Sequence, residues 1–269
     1  MINGWNGVAL NTAPDSANQI HGDEIAKQYG FKGGLVPGVT ISAYLIQPAI
    51  EAWGMDWLER GHAYVSVKSP LYDGETFTVD VETVSSEAYV AELLRPDGTV
   101  SAMGEVSIPA EAPEPPIRRG DRIAEKGYVG AAASPARFME LKEGGCLAFR
   151  FRWDSSHRMS AYIVDVDAMP RLLRPGQGGY ANMSFLLGVS NWIFAGNAHM
   201  NPWVHLETTS QNFRAVPNDT VVVAEMEVVD FFEKKDHQFA DVDVNLFDEV
   251  DNEALCSIRL RSIYKLRGM

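Results

Sequence analysis

Two stretches of the chain are apolar on every side, and most of the remainder alternates. Over residues 39–53 the positions Val39, Ile41, Ala43, Leu45, Ile46, Ala49, Ile50, Ala52 and Trp53 leave no polar stripe, which predicts a helix buried all round. Pro48 predicts a kink within it, and Gly54 its end. Residues 180–195 repeat the pattern, with Gly196 in the place of Gly54. Residues 24–29 read as a short helix stopped by Gly30.

The segments after each apolar helix have the period of strands. In residues 76–84, Phe77, Val79 and Val81 alternate with Thr76, Thr78, Asp80 and Glu82. Residues 63–69, 89–94 and 99–108 complete the first set, with Arg95-Pro96-Asp97-Gly98 as a hairpin turn. The second set covers 146–153, 203–209, 220–229, 238–247 and 254–264, and Lys234-Lys235-Asp236-His237 reads as a polar hairpin turn. The order repeats at about one hundred residues per copy, as an internal duplication does. The class is therefore α+β, with two long central helices each wrapped by an antiparallel sheet. Placed side by side, two such units make one continuous sheet with few open edges. The expected division is residues 1–110, a Pro-rich linker over 111–140, and a degenerate second copy over 141–269.

Composition narrows the function classes. A chain of 269 residues, 46% hydrophobic, buries a substantial core without disulfides. Cys146 and Cys256 stand alone in no metal-like spacing, so they read as two reduced thiols and no metal is expected. A formal net charge of −13 excludes a nucleic-acid partner of the usual basic kind. No apolar run reaches the roughly 18–20 residues of a membrane span, and residues 1–6 lack the pattern of a secretory leader. A cytoplasmic location with no membrane partner is the expectation.

The candidate chemistry lies ahead of the first long helix. Asn18-Gln19-Ile20-His21-Gly22-Asp23 presents a His and a carboxylate, and Gly30-Phe31-Lys32-Gly33-Gly34-Leu35-Val36-Pro37-Gly38 leads into the helix N-terminus. Free backbone N–H groups and the helix dipole there can hold a developing negative charge. His199, His205 and His237 are scattered, and Gly176-x-Gly178-x-x-Ala181 follows Pro175 with no strand before it, so it reads as a loop.

On these residues the segment 16–53 resembles the MaoC-like hydratases of the hotdog fold, and the layout of the whole chain resembles a double hotdog. Gly178-Gly179-Tyr180-Ala181-Asn182 is similar to the hydroxybenzoyl-CoA thioesterase-like hotdogs. The resemblance implies hydration or dehydration of 2-enoyl-CoA type substrates, with the coenzyme A thioester as substrate and no further cofactor. An acyl-CoA thioesterase and a non-catalytic acyl-thioester binding protein are the alternatives, and a homodimer of double-hotdog chains is possible. Carried over by position, His21 is the catalytic base and Asn18 the motif Asn. Gly38 supplies the N–H for the thioester oxygen, and Val36 lines the substrate. The family's catalytic Asp stands five residues before the His, where this chain has Ser16. Asp15 and Asp23 are the carboxylates left to replace it, or Ser16 orients a water with His21 as sole base. Gln19 and Pro37 also depart from the family's Pro and His. The second copy has Ile163 at the position expected for His21, so one site per chain is expected, with the degenerate half lining an acyl or pantetheine tunnel.

Overall fold

The computed structural model describes residues 2–176 and 178–268. The first apolar segment forms α2 (Gly38–Trp53), preceded by β1 (Trp5–Val8) and the short α1 (Asp23–Gln28). Val39 to Ile50 are buried without exception, as a helix without a polar stripe requires. The helix runs unbroken through Pro48. Proline has no N–H for the carbonyl of Tyr44, four residues earlier. That carbonyl instead accepts from the Trp5 indole Nε1 at 3.0 Å, and the next one, of Leu45, accepts from the Tyr89 hydroxyl at 2.7 Å. One aromatic donor from the surrounding sheet thus takes the place of the missing N–H, and a second bonds the adjoining carbonyl.

After α2 come α3 (Met55–Arg60), β2 (His62–Val67), β3 (Thr76–Ser85), β4 (Ala88–Leu94) and β5 (Val100–Ser107). The second half follows with α4 (Pro135–Gly144), β6 (Phe149–Arg152), α5 (Met183–Asn197) and β7 (Val204–Asn212). It ends in β8 (Val221–Lys234), β9 (His237–Asp248) and β10 (Ala254–Lys265). All ten strands form one antiparallel sheet in the order β1-β3-β4-β5-β2-β7-β10-β9-β8-β6. Read outward from the β2·β7 seam, the two halves repeat strand for strand, so the duplicated α+β layout is present. β8 and β9 run longer than the alternation suggested and turn at Lys235 and Asp236, both with positive φ, the geometry of a two-residue hairpin turn.

The two central helices lie against each other across the seam. Their contact includes a buried chain of hydroxyls, Thr12 to Thr40 at 2.8 Å and Thr40 to Ser184 at 2.8 Å. Gln47 of α2 reaches the other half, donating to the Ala168 carbonyl and accepting from the Tyr162 hydroxyl, both at 2.8 Å. Hence neither helix is the private core of its own half.

The segment expected as a linker over 111–140 contains structure. Its last part belongs to α4, where the Ser134 hydroxyl caps the helix by accepting from Arg137 N at 3.1 Å and Pro135 takes the first turn. A proline within the expected linker is here a helix start, because Phe138 and Leu141 have a core to bury into. Upstream, the carboxylate of the buried Glu225 accepts from three consecutive backbone N–H groups, Arg119, Gly120 and Asp121, at 2.7–2.9 Å. The connection is thereby tied to β8.

The Trp5 contact gives a direct test. Trp5→Phe, which keeps an aromatic ring and removes the donor, should lower stability by about 1–2 kcal/mol. Pro48→Ala restores the intrahelical N–H, so in that background the Trp5→Phe loss should shrink. A denaturant-unfolding double-mutant cycle measures this, and fully additive losses would contradict the account.

Candidate active site

His21 ends a single 3-10 turn, Gln19–His21, that the chain before α2 holds in place from two sides. Its Nδ1 lies 2.7 Å from the Leu35 carbonyl. A carbonyl can only accept, so Nδ1 carries the proton and Nε2 keeps its lone pair. The glycine turn passes close over it: a Cβ on Gly34 would lie 2.1 Å from the His21 carbonyl oxygen, so only glycine fits there. Asp23 holds this turn, accepting from Gly34 N at 2.8 Å. Its carboxylate is therefore engaged away from the imidazole.

Asn18 joins the His21 turn to the other half of the molecule. Its Nδ2 donates to the Trp203 carbonyl at 2.9 Å and its Oδ1 accepts from Trp203 N at 3.1 Å. The same Nδ2 lies 3.5 Å from His21 Nε2. The Ser16 hydroxyl donates to the Asn18 carbonyl at 2.9 Å, and Asp15 is exposed at the rim of the outer cavity. Among the described residues no carboxylate bonds to His21, and neither Asp15 nor Asp23 is brought into hydrogen-bond contact with it. Burial lowers the His21 pKa from its ordinary value, the Leu35 carbonyl raises it by less, and the positive charge of Arg158 lowers it further. His21 is thus a neutral base at ordinary pH.

Two cavities meet at this ring. The inner one, of about 150 Å³, is lined by Val36, Gly38 and Ile41 from the α2 end, by Phe31 and Leu35, and by residues of β7. The outer one, of about 400 Å³, runs past Asp15, Arg158, Trp192 and His199. Asn18, His21, Asn191 and Trp203 line both. The Gly38 N–H has no acceptor among the described residues and belongs to the helix end that faces the inner cavity. Among those residues no group of three or more His, Cys, Asp or Glu side chains converges.

The far wall comes from the second half. His205, buried, packs over the start of α2: a Cβ on Gly38 would lie 2.8 Å from its Cδ2. Its Nδ1 is 3.1 Å from Asn191 Oδ1, and its Nε2 is bonded to the Thr208 hydroxyl. Burial, with a smaller push from neighbouring His21, lowers its pKa to about 3.

No family model matches the sequence, and no curated protein matches it either. Solved structures do match in fold. A conserved hypothetical protein of Mycobacterium tuberculosis, described as having a double hotdog fold, is 10% identical with a TM-score of 0.56, covering 98% of this chain and 96% of its own. The chain has a double hotdog fold. A protein of Chloroflexus aurantiacus assigned as a MaoC domain dehydratase is 10% identical with a TM-score of 0.52, covering 100% and 97%. One of Thermobifida fusca assigned as a thioesterase II is 12% identical with a TM-score of 0.50, covering 87% and 88%. At these identities the likeness is one of fold.

In this double hotdog the cleft lies on the seam, and its two sides are unlike. The helix starts, Gly38 and Met183, place Val166 opposite His21, three residues beyond the Ile163 that the sequence spacing suggested. Neither is a His. His205, Asn191 and Thr208 were missed because no motif joins them. The signal was there in β7, a central strand whose inward residues Thr208, Ser210 and Asn212 are polar and buried.

Two outcomes follow. Gly38→Ala should destabilise the fold by about 1–3 kcal/mol, since the His205 ring cannot give way without losing both its partners. The second concerns pH. The unfolded His205 takes a proton near its ordinary value of 6.5 and the folded one only near about 3. Its contribution to stability is complete above pH 6.5 and falls as pH drops through that window, by about 1.4 kcal/mol per pH unit. Urea titrations between pH 7 and 5 should show a shallower decline for His205→Gln than for the wild type.

Proposed function

We propose that the protein processes acyl thioesters by adding water, with His21 as the base. The observation that supports this reading is a neutral imidazole whose unprotonated Nε2 is approached by Asn18 Nδ2 only at a long 3.5 Å among the described residues, set where two cavities meet beside the unbonded N–H of a buried helix. Hydrolysis is the reaction that such a single-base site supports best. His21 Nε2 takes a proton from water, the water oxygen bonds to the thioester carbon, and the Gly38 N–H holds the resulting oxyanion. Collapse breaks the C–S bond, and the imidazolium returns its proton to the thiolate. Asn18 fixes the His21 turn against the second half, and Val36 contributes to the apolar wall beside the acyl group.

Hydration of a 2-enoyl thioester is the second reading, favoured by the Asn18-x-x-His21 spacing and the helix-start Gly38. It needs a group to protonate the α-carbon as well as one to deprotonate water. With Ser16 bonded to the backbone and Asp23 to the glycine turn, His21 would have to do both.

Assays of thiol release and of enoyl absorbance on a panel of acyl- and enoyl-coenzyme A substrates separate the readings. Thiol release is the expected activity. His21→Ala should lower it by about 10²–10⁴-fold while leaving the melting transition cooperative. Turnover unchanged in that variant would refute the site. Because the base form is neutral and its pKa is lowered, the acid limb of the rate profile should lie below pH 6.5.

A further inference from the structure

The polar groups on the C-terminal side of the cleft form a connected chain that His21 chemistry alone does not require. It begins with an irregularity in β7. Against β10, Glu207 pairs with Arg261 and His205 with Ser262, so Leu206 is an extra residue. That bulge puts His205 on the inward face with Thr208, where simple alternation would have placed Leu206. The hydroxyl of the buried Thr208 has one hydrogen-bond partner among the described residues, His205 Nε2. A buried hydroxyl donates when an acceptor is present, so Nε2 accepts and Nδ1 carries the proton of the neutral ring. Nδ1–H then donates to Asn191 Oδ1, which fixes the carboxamide plane and its orientation. Asn191 Nδ2 has no acceptor among the described residues, while the residue lines both cavities beside His21 and Asn18. It is also a half-buried polar residue in a helix whose neighbours Leu186, Leu187, Val189, Ile193 and Phe194 are core.

We propose that Asn191 is a substrate-contacting residue of the His21 site, supplied by the C-terminal half. Its carboxamide is oriented by His205 and Thr208 so that Nδ2 donates to the carbonyl oxygen of a bound acyl thioester. This rests on the acyl-thioester reading and gives that reading its second donor, opposite the Gly38 N–H. His205 and Thr208 are positioning residues. Thr208 fixes the tautomer of His205, and His205 decides which end of the Asn191 amide meets the ligand. The degenerate half thus lacks a His21 of its own and supplies the other side of a composite site.

Two measurements on the full chain test this. In ¹⁵N-labelled protein the His205 ring, assigned by its loss in His205→Gln, should show the Nδ1–H tautomer. The Nε2–H tautomer would turn the Asn191 carbonyl toward the cavity and overturn the proposal, whatever the substrate. Calorimetric titration then uses butyryl-dethia-coenzyme A, a ketone in which a methylene replaces the thioester sulfur. Asn191→Ala and Thr208→Val should each bind it about tenfold more weakly than wild type, and Thr208→Ser should restore binding to within about twofold. Should Asn191→Ala fail to fold, Asn191→Asp keeps the acceptor for His205, lacks the donor and should show the same loss. Equal binding by wild type and the Asn191 variants would overturn the proposal alone. No binding by wild type would refute the acyl-thioester reading itself, and the proposal with it.

Discussion

The antiparallel pairing of β2 with β7 is the contact on which the rest of the molecule depends. Five register pairs, from His62 with Gln211 to Ser66 with Glu207, join the halves into one sheet. Unpaired, each strand would leave a row of open N–H and C=O groups at an edge. Paired, they bring α2 and α5 together, and the Thr12–Thr40–Ser184 chain and the Gln47–Tyr162 bond then satisfy polar groups that neither half could satisfy alone. The candidate cleft is a consequence. It opens where the seam, the start of α2 and the start of β7 meet, so its walls come from both copies.

The two halves share a layout and carry different groups at the cleft. The first has a His on the turn before its helix and a glycine at the helix start. The second places an Asn within its helix and a His on its bulged strand, both aimed back at the first copy. Each His is held neutral by a different device. His21 donates to a backbone carbonyl and keeps on Nε2 a lone pair met only by a long contact from Asn18, while His205 has both ring nitrogens in closer bonds. Two enclosed imidazoles near one another, with Arg158 acting on His21, could not both be charged without a compensating carboxylate. Among the described residues none is bonded to either, so neutrality is the stable arrangement.

Hydrophobic period carried most of the fold. A helix apolar on all faces can only be a central one, and strands that alternate can only cover it, so the α+β class and the single continuous sheet were legible at once. The resemblance at Asn18, His21 and Gly38 brought the hotdog layout with it. What misled was local chemistry read without tertiary context. Residues up to 140 looked like linker because a Pro-rich stretch has no period of its own, yet Phe138 made α4 worth forming. Asp15 and Asp23 looked available to His21 because nearness along the chain was the sole guide, whereas one faces solvent and the other holds the glycine turn.

The sequence by itself determined the two central helices, most of the strands, their repeated order and the segment that bears His21. These follow from period, turn residues and short-range hydrogen bonding, all properties of neighbours along the chain. The tertiary structure alone decided which groups face His21. His205 and Asn191 lie well over a hundred residues beyond it, and a single extra residue in β7 turns His205 inward. A register of that kind is set by strand pairing across the sheet, which no local pattern records.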